Sequence, residues 1–83
     1  MTDLARTPKQ IGNIVRRTRR KIGLSQAQLG EMAGLRQATI SLVESGDAGT
    51  KLNTLLSILA ALDLEFRIVQ RSKGSGSDIE AIF

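Results

Sequence analysis

Residues 37–45 bring uncharged polar side chains together at a spacing that suits hydrogen bonding to nucleic-acid bases. At 100° per residue, one helix face carries four small or polar residues, namely Gln37, Ala38, Ser41 and Ser45, with Leu42 at its edge. Amide and hydroxyl groups can hydrogen-bond base edges in the DNA major groove, and an alanine methyl can contact thymine. Taken alone, such a short face is more often an ordinary solvated helix surface, so the rest of the chain has to decide.

Start and stop signals predict two short helices joined by a tight turn over residues 24–46. Ser25 and Gln28 have the spacing of a capping box, which marks the beginning of the first helix. Gly34 can adopt the left-handed conformation that ends it after Ala33. The second helix is expected from about Gln37 to Ser45 and is followed by another glycine.

A longer helix is predicted upstream. Thr7, Pro8 and Gln10 form a helix start, and Gly23 ends the helix after Ile22. Its apolar stripe contains Ile11, Ile14, Val15 and Ile22. Its opposite face is basic and contains Arg16, Arg17, Arg20 and Lys21. These charges could be solvated, could face phosphates, or could complement the helix dipole.

Arg19 lies at the edge of the apolar stripe, where an arginine needs a partner. Glu44 occupies the matching border of the helix at 37–45. We expect the two side chains to pair across the edge of the core. The pair would be structural, because removing either partner would leave a poorly compensated charge.

The pattern after Gly46 changes twice. Five leucines at helical spacing predict a core helix ending near Asp63, namely Leu52, Leu55, Leu56, Leu59 and Leu62. Residues 64–71 then alternate and read as a strand, with a fifth helix as the alternative. A lone strand leaves backbone groups unpaired, so the strand predicts a twofold dimer through a shared ribbon, with dimer contacts from Leu64, Phe66 and Ile68.

The sequence divides into three segments. We expect a flexible arm at residues 1–7, a DNA-binding and dimerisation domain at 8–71, and a flexible tail at 72–83. The tail ends in three bulky apolar residues, Ile79, Ile82 and Phe83. They could be a frayed end, a protease handle, or a short anchor for another protein.

Composition limits the classes of function. The 83 residues suit one domain, and a net charge of +4 favours an anionic partner. The absence of cysteine and histidine argues against disulfides, zinc ligation by those residues and imidazole catalysis, so no metal and no cofactor are expected. No apolar segment is long enough to be a signal peptide or membrane span, which predicts a cytoplasmic protein.

Motifs across residues 11–62 resemble the Cro/C1-type (XRE) helix-turn-helix family. The resemblance is carried by the runs 23–26, 34–35 and 37–41, together with Leu29, Glu44 and Gly46. It implies an all-α fold, a lambda-repressor-like bundle of four short helices. The chain departs from the family's pattern at Gly30, where alanine is usual, and at Arg36, where serine or threonine often caps the helix.

Residues 36–44 and 63–71, with the apolar tail, are similar to the HipB-type antitoxins. That resemblance implies a homodimer that binds a HipA-like serine/threonine kinase toxin and represses the operon encoding both. On this hypothesis, Ile79, Ile82 and Phe83 are expected to contact the toxin. A stand-alone repressor of the same fold and a protein-binding adaptor are the alternatives. An enzyme is disfavoured because no pair of carboxylates lies in an obvious cleft.

The resemblance also assigns contacts residue by residue. Base contacts are implied for Arg36, Gln37, Ala38 and Ser41. Phosphate contacts are implied for Ser25, Gln26, Gln28, Thr39, Gly46 and Lys51. The position of Gln26 at a helix N-terminus agrees with this assignment, since free amides and the helix dipole favour anions there.

Overall fold

A computed structural model describes residues 3–71 of the chain. Within this range the chain forms four helices: α1 (Pro8–Ile22), α2 (Gln26–Ala33), α3 (Gln37–Glu44) and α4 (Leu52–Ala61). These helices confirm the predicted all-α bundle of four short helices. α3 ends at Glu44 and α4 at Ala61, slightly earlier than the sequence pattern indicated.

The beginnings and ends of the first two helices follow from local sequence. The N–H of Gln10 donates to Oγ1 of Thr7 at 3.1 Å, and the N–H of Gln28 donates to Oγ of Ser25 at 3.0 Å, which confirms both capping boxes. After each helix a glycine takes the left-handed conformation, with φ of 89° at Gly23 and 72° at Gly34. The resulting α2–α3 connection is short and sharply turned.

The core draws on all four helices. Its buried members are Val15, Leu29, Ile40, Val43, Leu55, Ile58, Leu59 and Leu62. Three predicted core residues are exposed instead: Ile22 by 54%, Leu52 by 64% and Leu56 by 42%. Ile22 and Leu52 lie at helix ends, beyond the reach of the neighbouring helices. Leu56 lies on nearly the opposite side of α4 from the buried Ile58.

Glycine allows two close helix contacts. A Cβ at Gly12 would lie 2.4 Å from the carbonyl oxygen of Val43, so α1 crosses α3 with the backbones almost in contact. A Cβ at Gly30 would lie 2.7 Å from the carbonyl oxygen of Leu35. The glycine that departs from the family's alanine therefore matches an especially close approach of the α2–α3 turn.

Residues 64–71 form neither a strand nor a helix in the described single chain, so the fifth-helix alternative is wrong. Leu64 packs against the core, and its N–H donates to the carbonyl of Leu59 at 2.7 Å. Phe66 is 45% exposed and Ile68 fully exposed. Pairing of this segment with a second copy stays a prediction.

Candidate nucleic-acid interface

α3 is held in the bundle by one side and presents the other to solvent. Ile40, Val43 and Glu44 are buried. All four predicted base-contacting residues are exposed: Arg36, Gln37, Ala38 and Ser41. The structure therefore places them together on the outer side of α3, which we call the α3 outer face.

Glu44 anchors α3 to α1 through a buried ion pair. Nε of Arg19 lies 2.6 Å from Oε2 of Glu44, and Nη2 lies 3.0 Å from Oε1. The same guanidinium donates from Nη1 to the carbonyl of Leu24 at 2.8 Å. The predicted Arg19–Glu44 pairing is thus confirmed, and its donors and acceptors are satisfied, which a buried ion pair requires.

The pair shifts both groups toward their charged forms. The hydrogen bond to Glu44 raises the pKa of Arg19, against the effect of desolvation. Burial on its own would raise the pKa of Glu44, but hydrogen bonds from Arg19 and Gln26 and the adjacent positive charges outweigh it. The pKa of Glu44 consequently lies below its ordinary value.

A chain of side-chain amides links this buried carboxylate to the α3 outer face. Nε2 of Gln26 donates to Oε1 of Glu44 at 3.1 Å, and Nε2 of Gln37 donates to Oε1 of Gln26 at 3.2 Å. A carboxylate can only accept, so the amide nitrogen of Gln26 must face it. Oε1 of Gln26 is thereby turned toward Gln37. We call the series Glu44, Gln26 and Gln37 the amide relay.

The relay fixes what Gln37 can offer to a ligand. One N–H of its amide is used by Gln26, which leaves the second N–H and the carbonyl oxygen Oε1. A side-by-side donor and acceptor match the N7 and N6 groups of adenine in the major groove. The orientation of this candidate base-reading group is therefore set from the core.

Two arginines of the basic α1 face also have partners. Nη2 of Arg16 donates to the carbonyl oxygen of Glu44 at 3.3 Å, and Nε lies 3.5 Å from Oε1 of the same residue. Nη2 of Arg17 lies 2.6 Å from Oδ1 of Asp3 in an exposed pair. Arg16 thus contributes to anchoring the end of α3, a role that the sequence pattern left open.

The predicted phosphate-contacting residues lie around the start of α2, in and just after α3, and at the start of α4. Ser25, Gln28 and Lys51 are exposed, whereas Gln26, Thr39 and Gly46 are partly buried. The capping box uses the side-chain oxygens of Ser25 and Gln28 as acceptors. Their hydroxyl and amide hydrogens therefore remain as donors for an anion at the α2 N-terminus.

Sequence reasoning missed Leu42 as part of the α3 outer face. Its side chain is 54% exposed, although the helical wheel had placed it only at the edge of the polar side. Once Ile40, Val43 and Glu44 define the buried direction, Leu42 lies close to the opposite direction. The 100° spacing gives the angles between residues, but it does not show which side of the helix faces the core. Leu42 could be assigned to the outer face only once that side was known.

The predicted toxin-contacting residues Ile79, Ile82 and Phe83 lie outside the described residues. Between residues 3 and 71, no group of three or more acidic residues is arranged to hold a metal ion. No helix in that range is both long and apolar enough to cross a membrane.

α2 packs into the bundle, a glycine turn connects it to α3, and α3 presents a polar outer face. This arrangement defines a helix-turn-helix protein. The model of the helix-turn-helix family HTH_3 matches residues 15–69. The chain belongs to this XRE-type helix-turn-helix family.

Curated relatives include antitoxin HipB of Escherichia coli K12, which is 31% identical over 74 residues, or 89% of this chain and 84% of the relative. An uncharacterised HTH-type transcriptional regulator of Haemophilus influenzae is 38% identical over 52 residues, or 63% of this chain and 53% of the relative.

Solved structures agree in fold. A HipB–O4 20mer complex has a TM-score of 0.80 at 30% identity, covering 86% of this chain and 100% of that one. A HipA–HipB–O2–O3 complex gives 0.79 at 30% identity, covering 86% of this chain and 100% of that one. The restriction-modification controller protein C.AhdI from Aeromonas hydrophila has a TM-score of 0.65 at 33% identity. The match covers 70% of this chain and 88% of that one.

Proposed function

We propose that this chain is a sequence-specific DNA-binding repressor that acts as the antitoxin of a HipA-like serine/threonine kinase and represses its own operon. It works by binding rather than by catalysis. The observation that carries DNA binding is the α3 outer face, whose amide, hydroxyl and apolar groups project from a helix anchored in the core. The similarity to HipB over 89% of the chain supports the antitoxin role.

DNA binding divides the site into two sets of contacts. Arg36, Gln37, Ala38 and Ser41 read base edges from α3 in the major groove, because the N-terminal residues of the second helix make such contacts. Phosphates on the flanking backbone are bound by the other set, namely Ser25, Gln26, Gln28, Thr39, Gly46 and Lys51. The net charge of +4 favours this polyanionic partner.

A homodimer is the form in which we expect the chain to act. α4 and the segment after it leave bulky apolar side chains in solvent, among them Leu52, Phe66 and the fully exposed Ile68. Burying them against a second copy would remove apolar surface from water. Pairing of residues 64–71 between copies, with Leu64, Phe66 and Ile68 at the contact, satisfies the backbone of both segments.

DNA binding is tested by selecting sites from a random duplex library with the purified full-length chain and measuring affinity by fluorescence anisotropy. A dimer predicts two related half-sites whose centres lie a whole number of turns apart, each turn about 34–36 Å. Sedimentation of a variant lacking residues 64–71 should show a monomer at micromolar concentration. A variant that remains dimeric would refute the ribbon.

The kinase partner is tested by co-expressing the chain with the kinase-like reading frame beside its gene. We expect co-purification and relief of growth arrest. A variant ending at residue 77 tests the proposed docking of Ile79, Ile82 and Phe83, and unchanged complex affinity would refute that contact.

The alternative is a stand-alone regulator of the same fold. The match to a transcriptional regulator over 63% of this chain favours it. A chain that binds its own promoter as a dimer but retains no kinase from its native cell would establish this alternative.

A further inference from the structure

Leu42 is a bulky apolar side chain in a surface whose other members are small or polar. It is 54% exposed on α3, the helix that the proposed function places in the major groove. Ala38 lies one turn earlier and about 40° away around the helix axis. The two side chains therefore form a narrow apolar strip along the middle of the α3 outer face.

The backbone beneath Leu42 is held firmly. Its carbonyl oxygen accepts from Oγ of Ser45 at 2.8 Å and from the N–H of Asp47 at 3.1 Å. The hydroxyl hydrogen of Ser45 is consumed by this bond, so Ser45 cannot also donate it to a base. The end of the outer face thus presents an isobutyl group on a fixed turn, beside a hydroxyl whose oxygen is left only as an acceptor.

Major-groove base edges offer one kind of apolar group, the methyl on C5 of a pyrimidine. We propose that Leu42 reads a pyrimidine C5-methyl group and is a specificity-determining residue of this chain. The inference rests on the proposed DNA-binding function. Leu42 lies five residues after Gln37, a rise of about 7.5 Å. Because Leu42 lies further along α3, the methyl should belong to a different base pair from the one that Gln37 reads.

The test uses the full-length chain and the site selected from a random duplex library. Each thymine of one half-site is replaced in turn by deoxyuridine, which removes only the methyl. We expect one replacement to lower the affinity of the unaltered chain about fourfold, the effect of one buried methyl-sized group. With Leu42→Ala this penalty should disappear, whereas Leu42→Met, which keeps an apolar side chain of similar length, should retain it.

A methyl group can also come from 5-methylcytosine. Where a selected site carries cytosine at this position, methylation of C5 should raise affinity about fourfold for the unaltered chain and not for Leu42→Ala. A penalty with deoxyuridine identifies thymine as the source, and a gain with 5-methylcytosine alone identifies methylated DNA. Either result supports the inference.

Met32→Ala is the matched control, because Met32 is an apolar helical residue with a similar exposed fraction, 58%, but lies near the end of α2. It should leave the deoxyuridine penalty unchanged. A penalty that persists in Leu42→Ala, or the lack of any methyl effect in the unaltered chain, would overturn the inference while leaving DNA binding intact. Failure to select any DNA site would instead overturn the proposed function and the inference with it.

Discussion

Gln37 donates its side-chain N–H to Oε1 of Gln26 at 3.2 Å, so the first residue of α3 is oriented by the first residue of α2. Gln26 is itself oriented by the buried carboxylate of Glu44. The amide of Gln37, which would otherwise rotate freely in solvent, is thereby held in one orientation. Less conformational entropy is then lost when it binds a base.

The relay predicts a distinct effect for Gln26→Met, which keeps side-chain length but removes both hydrogen bonds. Preference for adenine opposite Gln37 should weaken, because the amide of Gln37 loses its fixed orientation. Affinity for all sequences should also fall by a common factor if Gln26 binds phosphate. Competition binding with each of the four base pairs at that position separates the two effects.

A double-mutant cycle supplies the control. In the Gln37→Ala background, Gln26→Met should cause no further change in base preference, since the oriented group is absent. Equal changes in base preference in both backgrounds would contradict the relay.

Gln37→Ala itself should relax sequence choice at one base pair and cost about 1–3 kcal/mol of binding free energy. The reason is the loss of a bidentate contact to a base edge. Binding titrations against the selected site and its single-base variants measure both quantities. Asn13→Ala, which removes an exposed side-chain amide from α1, should leave both unchanged. If affinity and base preference both survived in Gln37→Ala, α3 would not be the reading helix.

Two ion pairs with the same 2.6 Å separation should differ in their contribution to stability because they differ in burial. Arg19→Met breaks the pair with Glu44, whose side chain is inaccessible to solvent, and should lower the free energy of unfolding by about 3–5 kcal/mol. Arg17→Met breaks the pair with Asp3, in which both side chains are about half exposed, and should cost less than about 1 kcal/mol. Urea unfolding followed by circular dichroism measures both. Similar losses would show that burial does not distinguish the pairs.

Acid should destabilise the fold through Glu44. Its pKa is lowered in the folded chain, so its contribution to stability is complete above the unfolded value of about 4.3 and is lost as the pH falls through the folded value. The free energy of unfolding should therefore decline below about pH 4.3. Glu44→Gln should show a shallower decline. Parallel profiles for the unaltered chain and Glu44→Gln would contradict this origin of the acid sensitivity.

Gly12→Ala should destabilise the fold by about 1–3 kcal/mol, because the added methyl meets the backbone of α3 and α1 must move away. Gly49→Ala is the control, since its Cβ would approach only the Asp47 side chain at an ordinary 3.6 Å. Thermal unfolding of both variants gives the comparison. An unchanged or raised midpoint for Gly12→Ala would mean that α1 and α3 separate without cost.

Local signals were enough to predict α1 and α2, because capping boxes and left-handed glycines act within a few residues. The Arg19–Glu44 pair was also predictable, since both residues lie at the borders of apolar stripes. The exposure of Ile22 and Leu52 was not, because it depends on how far neighbouring helices extend. The amide relay escaped prediction for a similar reason: it needs the crossing of α2 and α3, which Gly30 brings unusually close.

The division of α3 into a buried and an outward side has a consequence for retargeting. Ile40, Val43 and Glu44 hold the helix in place, whereas Arg36, Ala38, Ser41 and Leu42 contribute no buried side chain to the core. Those four positions can be randomised with little loss of folding, so libraries of this chain should yield variants addressed to new operators. Gln37 is the exception, because exchanging it for a group that does not fit the amide of Gln26 calls for redesigning both positions together.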